Sequence, residues 1–187
     1  MKHKLASTKN VRRFQTALRE LRDRPLGVEG MGLLWGKPGE GKTTIIAHSA
    51  NETDGVYLRA NAGWTVTSML QTLVRELGGT PGNRRAPMMD WCFDKLRGGK
   101  RPIFVDEADY LFRQTEMLDA LRDVYDETGS PVILIGMEDI ARTIQNNGRF
   151  ARRITAWIQF NGLDTLELTV SERHRISIRW HEKGRDL

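Results

Sequence analysis

Eight consecutive residues, Gly36-Lys37-Pro38-Gly39-Glu40-Gly41-Lys42-Thr43, carry the plainest chemistry in this 187-residue chain. Their three glycines allow a backbone path that turns successive N–H groups toward one point and lets phosphate oxygens approach closely. Lys42 adds a positive charge for the outer phosphates of a nucleoside triphosphate, and the Thr43 hydroxyl can ligate Mg²⁺. The apolar run Met31–Trp35 precedes this loop, and helix-forming residues from Thr43 to about Ala50 follow it. Thr43 and Thr44 therefore stand at a helix N-terminus, where anions are favoured. A strand, a glycine loop and a helix in that order form the setting that binds phosphate. A glycine turn that happens to contain a lysine is the alternative.

A second constellation ends the apolar run Pro102-Ile103-Phe104-Val105-Asp106-Glu107. A carboxylate at the C-terminal end of a buried strand lies beside such a loop and can hold Mg²⁺, which assigns the metal to Thr43 and Asp106. The next acid, Glu107, can orient and polarise an attacking water. A kinase has no need of that second acid, so the pair favours hydrolysis; capping of the following helix is the other reading of Glu107. Three arginines, Arg149, Arg152 and Arg153, follow the fourth apolar run. Supplied by a neighbouring subunit, such cations stabilise charge on a transferring phosphoryl group. A solvated basic turn is the alternative.

The elements that must position these residues are legible from periodicity. Val11, Phe14, Leu18 and Leu21 recur at helical spacing, with Ser7, Thr8 and Asn10 as candidate caps and Arg24-Pro25 as the stop. Strands are expected at 31–35, 55–60, 102–107, 132–136 and 156–160. Helices are expected at 43–50, 68–77, 87–97, 115–127 and 139–145, with a turn at Asn51–Gly55. Val132-Ile133-Leu134-Ile135 is continuously apolar, as a central parallel strand requires. Alternating strands and helices predict an α/β fold, a five-stranded parallel sheet flanked by helices. One nucleotide-binding domain over 1–163 is expected, opening with a basic helical segment at 1–24. Residues 164–187 are left as a short tail or partial lid.

Composition narrows the classes. Hydrophobic residues at 39% and charged residues at 28% are ordinary for a globular protein. No apolar run approaches the roughly 20 residues that a membrane span needs. The basic N-terminus leads into no apolar stretch, so no signal peptide is expected. Cys92 is the single cysteine, which excludes an internal disulfide and fits a cytoplasmic location. The net charge of +5 is unevenly spread. Residues 1–24 hold eight Lys/Arg against Glu20 and Asp23, and residues 102–140 hold ten Asp/Glu against Arg113 and Arg122. Such segregation suits one phosphate-facing surface and a separate acidic face.

Taken in order, Gly-Lys-Pro-Gly-Glu-Gly-Lys-Thr, Val-Asp-Glu-Ala-Asp, Leu-Ile-Gly-Met-Glu and Arg-Phe-Ala-Arg-Arg-Ile resemble an AAA+ ATPase. Within that superfamily the chain is most similar to transposition proteins of the phage Mu B and TnsC type. Thr8–Phe14, Tyr57–Ala60 with Gly63-Trp64-Thr65, and Leu121–Pro131 extend the resemblance over roughly residues 8–163. The resemblance implies an ATP- and Mg²⁺-dependent protein that binds duplex DNA without sequence preference and assembles into rings or filaments. Such proteins stimulate a partner transposase, and ATP hydrolysis disassembles them. Carried onto this chain, Gly36 to Thr44 with Asn10 and Val11 would hold the nucleotide. Lys42, Thr43, Asp106 and Glu107 would form the in-cis half-site, completed in trans by Arg149 or Arg153. The resemblance also turns Asn61, Trp64, Thr65 and Thr67 toward DNA, with Trp64 as an ordinary packing residue equally open. By composition, Arg84 and Arg85, on a Gly/Pro-flanked loop, are further DNA candidates.

Two departures accompany the resemblance. Gly136-Met137 stands where the family places a polar residue, and few residues follow Phe160, so the helical lid is expected to be truncated or absent. The competing readings are another DNA-handling AAA+ protein such as a helicase loader, a nucleotide-binding signalling switch, and a small-molecule kinase.

Overall fold

A computed structural model of the chain describes residues 8–25, 27–98 and 101–161. The tail at 164–187 lies outside the described residues. Within them the chain runs α1 (Lys9–Arg22), β1 (Met31–Trp35), α2 (Lys42–Thr53), β2 (Val56–Arg59), α3 (Val66–Glu76) and α4 (Arg85–Leu96). It continues with β3 (Ile103–Asp106), a 3₁₀ turn (Ala108–Arg113), α5 (Thr115–Thr128), β4 (Val132–Gly136), α6 (Ile140–Asn146), α7 (Gly148–Ala151) and β5 (Ile154–Gln159). All five strands are parallel, in the order β2-β3-β4-β1-β5.

Side chains alternate across a strand, and here that alternation divides the core into two layers. Met31, Leu33, Ile103, Val105, Val132 and Leu134 point toward α3, α4 and α5. Leu34, Phe104, Ile133 and Ile135 point the other way, onto Phe14, Leu18 and Leu21 of α1 and Ile45 and Ile46 of α2. The central strands are covered on both faces, which is why they are apolar without interruption.

The helix ends show why several boundaries differ from the periodic expectation. α1 starts after Thr8, whose Oγ1 accepts from the Val11 N–H at 3.2 Å, so Thr8 is the cap among the three candidates. α2 runs on to Thr53, through the expected turn, and ends where Asp54 turns left-handed at φ 51°. α3 opens at Val66 because Thr65 and Ser68 form a reciprocal capping box. α4 opens at Arg85, two residues before Pro87, since proline is tolerated in a first helical turn. Arg85 is thus helical, which corrects its placement on a loop, and Arg84 is the cap. The 3₁₀ turn and α7 have too few residues to show a period.

Phe14 is fully buried, with its ring centroid 6.5 Å from that of Phe104 on β3. Truncating a buried phenylalanine costs about 3–5 kcal/mol. Phe14→Ala is therefore expected to lower the midpoint of thermal unfolding by roughly 10 °C, at 2–4 °C per kcal/mol for a chain of this size. Circular dichroism on heating checks it, and an unchanged midpoint would show that α1 is not docked on the sheet.

Candidate functional site

The glycine loop leaves the end of β1 under close constraint. A Cβ on Gly36 would meet the Phe160 carbonyl oxygen at 2.6 Å, so only glycine fits between β1 and the end of β5. Gly39 and Gly41 take the left-handed conformation, at φ 83° and 84°, and have open space where a side chain would stand. Gly41 caps α2, so Lys42, Thr43 and Thr44 occupy its first turn, where amide groups have no partner inside the helix. Lys42 Nζ donates to the carbonyls of Gly36 and Lys37, each at 2.7 Å, which pins the ammonium across the mouth of the loop.

Asp106 lies at the end of β3 and is 5% exposed. Its Oδ2 accepts from Thr43 Oγ1 at 3.0 Å and from the Tyr57 hydroxyl at 2.9 Å, while Oδ1 accepts from the Glu107 N–H at 3.0 Å. Burial, and next the Asp106 hydrogen bond, push the Tyr57 phenol up to about 12, so it remains a donor at ordinary pH. The sequence thus pairs Thr43 with Asp106, and the fold joins them. Among the described residues no group of three or more His, Cys, Asp or Glu is gathered for a metal. One hydroxyl beside one carboxylate still suits Mg²⁺, which keeps waters and takes its remaining ligands from substrate phosphates.

Glu107 is one of two non-glycine residues at positive φ among the described residues, at φ 56°. A left-handed conformation at such a residue costs about 1–2 kcal/mol and clusters at functional sites. It swings the Glu107 side chain away from Asp106 to Arg59 on β2, with Nη2 to Oε1 at 3.5 Å. Glu107 caps no helix with its side chain. Asp109 reaches the end of β4, where its Oδ2 accepts from the Met137 N–H at 3.0 Å. A Cβ on Gly136 would stand 2.5 Å from that oxygen. Glycine at the end of β4 is therefore what admits the Asp109 carboxylate, the polar group found there.

The three arginines lie elsewhere. The Arg153 carbonyl accepts from the Met31 N–H at 3.1 Å, which puts them beside the start of β1 while the glycine loop leaves its end. Five parallel-strand residues separate the two by on the order of 15 Å. Arg153 is tied to Asp126 of α5 by Nε to Oδ1 at 3.1 Å and Nη2 to Oδ2 at 2.8 Å, and that hydrogen bonding raises its pKa further. Arg149 and Arg152 are exposed, and Arg152 Nε donates to the Gly148 carbonyl.

Asn10 is buried in α1, and its amide donates to the Asn161 carbonyl at 2.7 Å, so it stitches α1 to the end of β5. The Val11 N–H is used by the Thr8 cap. Of the residues expected to face DNA, Trp64 is 6% exposed within the main core, so of its two open readings the packing one holds. Asn61 and Thr65 are exposed but bound locally, Asn61 Oδ1 to the Gly63 N–H and Thr65 Oγ1 to the Ser68 N–H. Arg84 and Arg85 are both exposed; Arg85 Nε donates to Thr67 Oγ1 at 3.1 Å and its Nη1 lies 3.6 Å from Glu116. This brings the first turns of α3, α4 and α5 together at the end of the sheet that carries the glycine loop. Periodicity missed Tyr57, Arg59 and Asp109. The i, i+2 spacing of Tyr57 and Arg59 on a strand pairing with β3 was the available signal.

A glycine loop capping a helix, a buried aspartate on its threonine and a following glutamate define a P-loop nucleotide-binding site. The AAA domain family matches the chain over residues 26–144, so the chain belongs to that family, whose members are generally nucleotide-hydrolysing ATPases. No curated protein matches it significantly. Similar solved structures include Cdc6p from Pyrobaculum aerophilum, 17% identical with a TM-score of 0.60, matching 90% of this chain and 48% of that one. The Aeropyrum pernix Orc1 protein in complex with DNA is 17% identical with a TM-score of 0.63, over 90% and 48%. A Walker-type ATPase of Pyrococcus abyssi is 14% identical with a TM-score of 0.64, over 91% and 57%. The chain spans about half the length of these proteins. At these identities the likeness is one of fold, the P-loop AAA+ fold with its five-stranded parallel sheet. No helix among the described residues is long and apolar enough to cross a membrane.

Arg59 and Glu107 are 69% and 34% exposed, and ion pairs this open contribute about 0–1 kcal/mol. Arg59→Ala is expected to release the Glu107 carboxylate and raise nucleotide hydrolysis by no more than about fivefold. A coupled-enzyme assay of phosphate release checks this; a fall in turnover would show that Arg59 itself serves the reaction.

Proposed function

We propose that this chain is an ATP-dependent, non-sequence-specific DNA-binding ATPase that assembles on duplex DNA as a ring or helical filament and regulates transposition by activating a partner transposase. The observation that carries the reading is the separation of the glycine loop from Arg149 and Arg152 by the length of the sheet. Those cations are out of reach of their own loop, which supports their use by a neighbouring copy. The resemblance of the motifs to transposition regulators gives the process.

In this reading the loop amides and Lys42 hold the phosphates, and Thr43 and Asp106 would hold Mg²⁺. Bound Mg²⁺ supplies positive charge to the triphosphate. Glu107, released from Arg59, accepts a hydrogen bond from the attacking water and aligns it with the terminal phosphorus, yielding ADP and phosphate. The resemblance also assigns Asn10 and Val11, in the first turn of α1, to the bound nucleotide. Arg84, exposed beside three helix N-termini, offers a DNA phosphate a contact without sequence preference; Arg85 and Thr67 lie next to it. Among the three arginines, Arg149 is the strongest candidate for the in-trans role, because Asp126 engages Arg153 within its own chain. A second reading, another DNA-handling AAA+ protein such as a helicase loader, is favoured by the fold likeness to Cdc6p and Orc1.

Lys42→Ala is expected to abolish ATP-dependent assembly on duplex DNA, and Glu107→Gln to keep assembly while lowering DNA-stimulated hydrolysis at least a hundredfold. Negative-stain microscopy and phosphate release read the two, and assembly by Lys42→Ala at wild-type levels would overturn the shared-site reading. Arg149→Ala should reduce hydrolysis by about a thousandfold, the usual scale for an arginine finger, with nucleotide affinity of the dilute subunit unchanged. Arg153→Ala should instead lower the unfolding temperature. Hydrolysis that survives Arg149→Ala would remove it from the in-trans role.

A further inference from the structure

One side chain at the site is assigned no task by the motifs. Tyr57 sits on β2, half-buried against the layer that holds Phe104, and its hydroxyl donates to Asp106 Oδ2 at 2.9 Å. That oxygen also takes the Thr43 hydroxyl, and the other carboxylate oxygen takes the Glu107 N–H. The Asp106 carboxylate is therefore held from three elements: α2, the turn after β3, and β2. Thr43 and Asp106 are the assigned metal-holding groups. Tyr57 stands one shell outside them, and its rigid ring fixes where its hydroxyl lies. Two residues on, Arg59 faces Glu107 from the same strand face. A single strand thus presents one donor to each of the two acids.

We propose that Tyr57 is a positioning residue for Mg²⁺: its hydroxyl fixes the rotation of the Asp106 carboxylate so that the metal-facing lone pairs are set before nucleotide arrives. The proposal rests on the nucleotide site described above. Without that hydroxyl, Oδ2 keeps only the donor from Thr43, a residue itself assigned to the metal, so the carboxylate must be ordered further at the moment of binding. Partners of this outer kind commonly govern metal affinity by about ten- to a hundredfold. Asp106 is buried, so no solvent shell takes the place of the missing donor. Tyr57 touches neither substrate nor metal in this scheme and acts through Asp106 alone.

Tyr57→Phe removes only the hydroxyl and keeps the ring. The full chain and this variant are titrated with a fluorescent N-methylanthraniloyl derivative of ATP, first in EDTA and then with Mg²⁺ at fixed nucleotide. The variant is expected to bind the nucleotide in EDTA with the wild-type Kd, while its Mg²⁺ midpoint rises about tenfold. A Mg²⁺ midpoint within twofold of wild type overturns the proposal, as does an equal loss of affinity in EDTA and in Mg²⁺, which marks a merely structural role. Failure of the wild-type chain to bind the analogue under either condition overturns the nucleotide-site reading instead.

Discussion

The hydrogen bond from Thr43 to Asp106 joins two parts of the chain 63 residues apart, and the geometry of the site depends on it. Thr43 belongs to the first turn of α2, and Asp106 ends β3, next but one to β1 in the sheet. For the two to meet, β4 must separate β1 from β3, and both strands must end on the same side. A parallel sheet with right-handed crossovers delivers this, because every strand finishes at the same edge. The Asp106 carboxylate is buried, and burying a charge without partners is costly. Three hydrogen bonds offset that cost and also fix where the carboxylate points. The charge stays at the end of the strand because these partners surround it, and they in turn define the site.

Around that centre, local strain and local space are used selectively. The chain turns out of β3 through a left-handed glutamate, which directs the second acid to Arg59 and away from the first. At the end of β4, a residue without a side chain makes room for the carboxylate of Asp109. The polar group expected there is thus supplied from the turn after the neighbouring strand. A sequence pattern read strand by strand sees a gap at Gly136, whereas the folded chain fills it from 27 residues away.

Much of the fold was legible because its signals are local. Short, largely apolar runs marked the strands, most plainly the unbroken Val132–Ile135, and the glycine loop identified itself by spacing. The pairing of Thr43 with Asp106 could be inferred from the chemistry of both motifs. What was not legible depended on contacts between elements. Trp64, which the resemblance turned toward DNA with packing left equally open, turns into the core because α3 begins just after it and carries Val66, Met69 and Leu70 inward. Arg85 lies on a helix because a proline in the first turn does not interrupt one. The roles of Tyr57 and Arg59 needed the register of β2 against β3, which no run of residues states. Asp126, remote in sequence from Arg153, takes up one of the two arginines that the resemblance sends across an interface.

The placement of Arg149 at one end of the sheet and the glycine loop at the other has a consequence for any assembly that joins them. Such a contact uses two different surfaces, so each copy added presents again the surface that was just filled. A closed ring would contain as many complete sites as subunits. An open helix would contain one fewer, since the copy at one terminus has a loop with no arginine facing it. That terminal copy would keep its nucleotide longest, and subunit turnover would be unequal at the two ends. An otherwise uniform polymer would thereby acquire a direction.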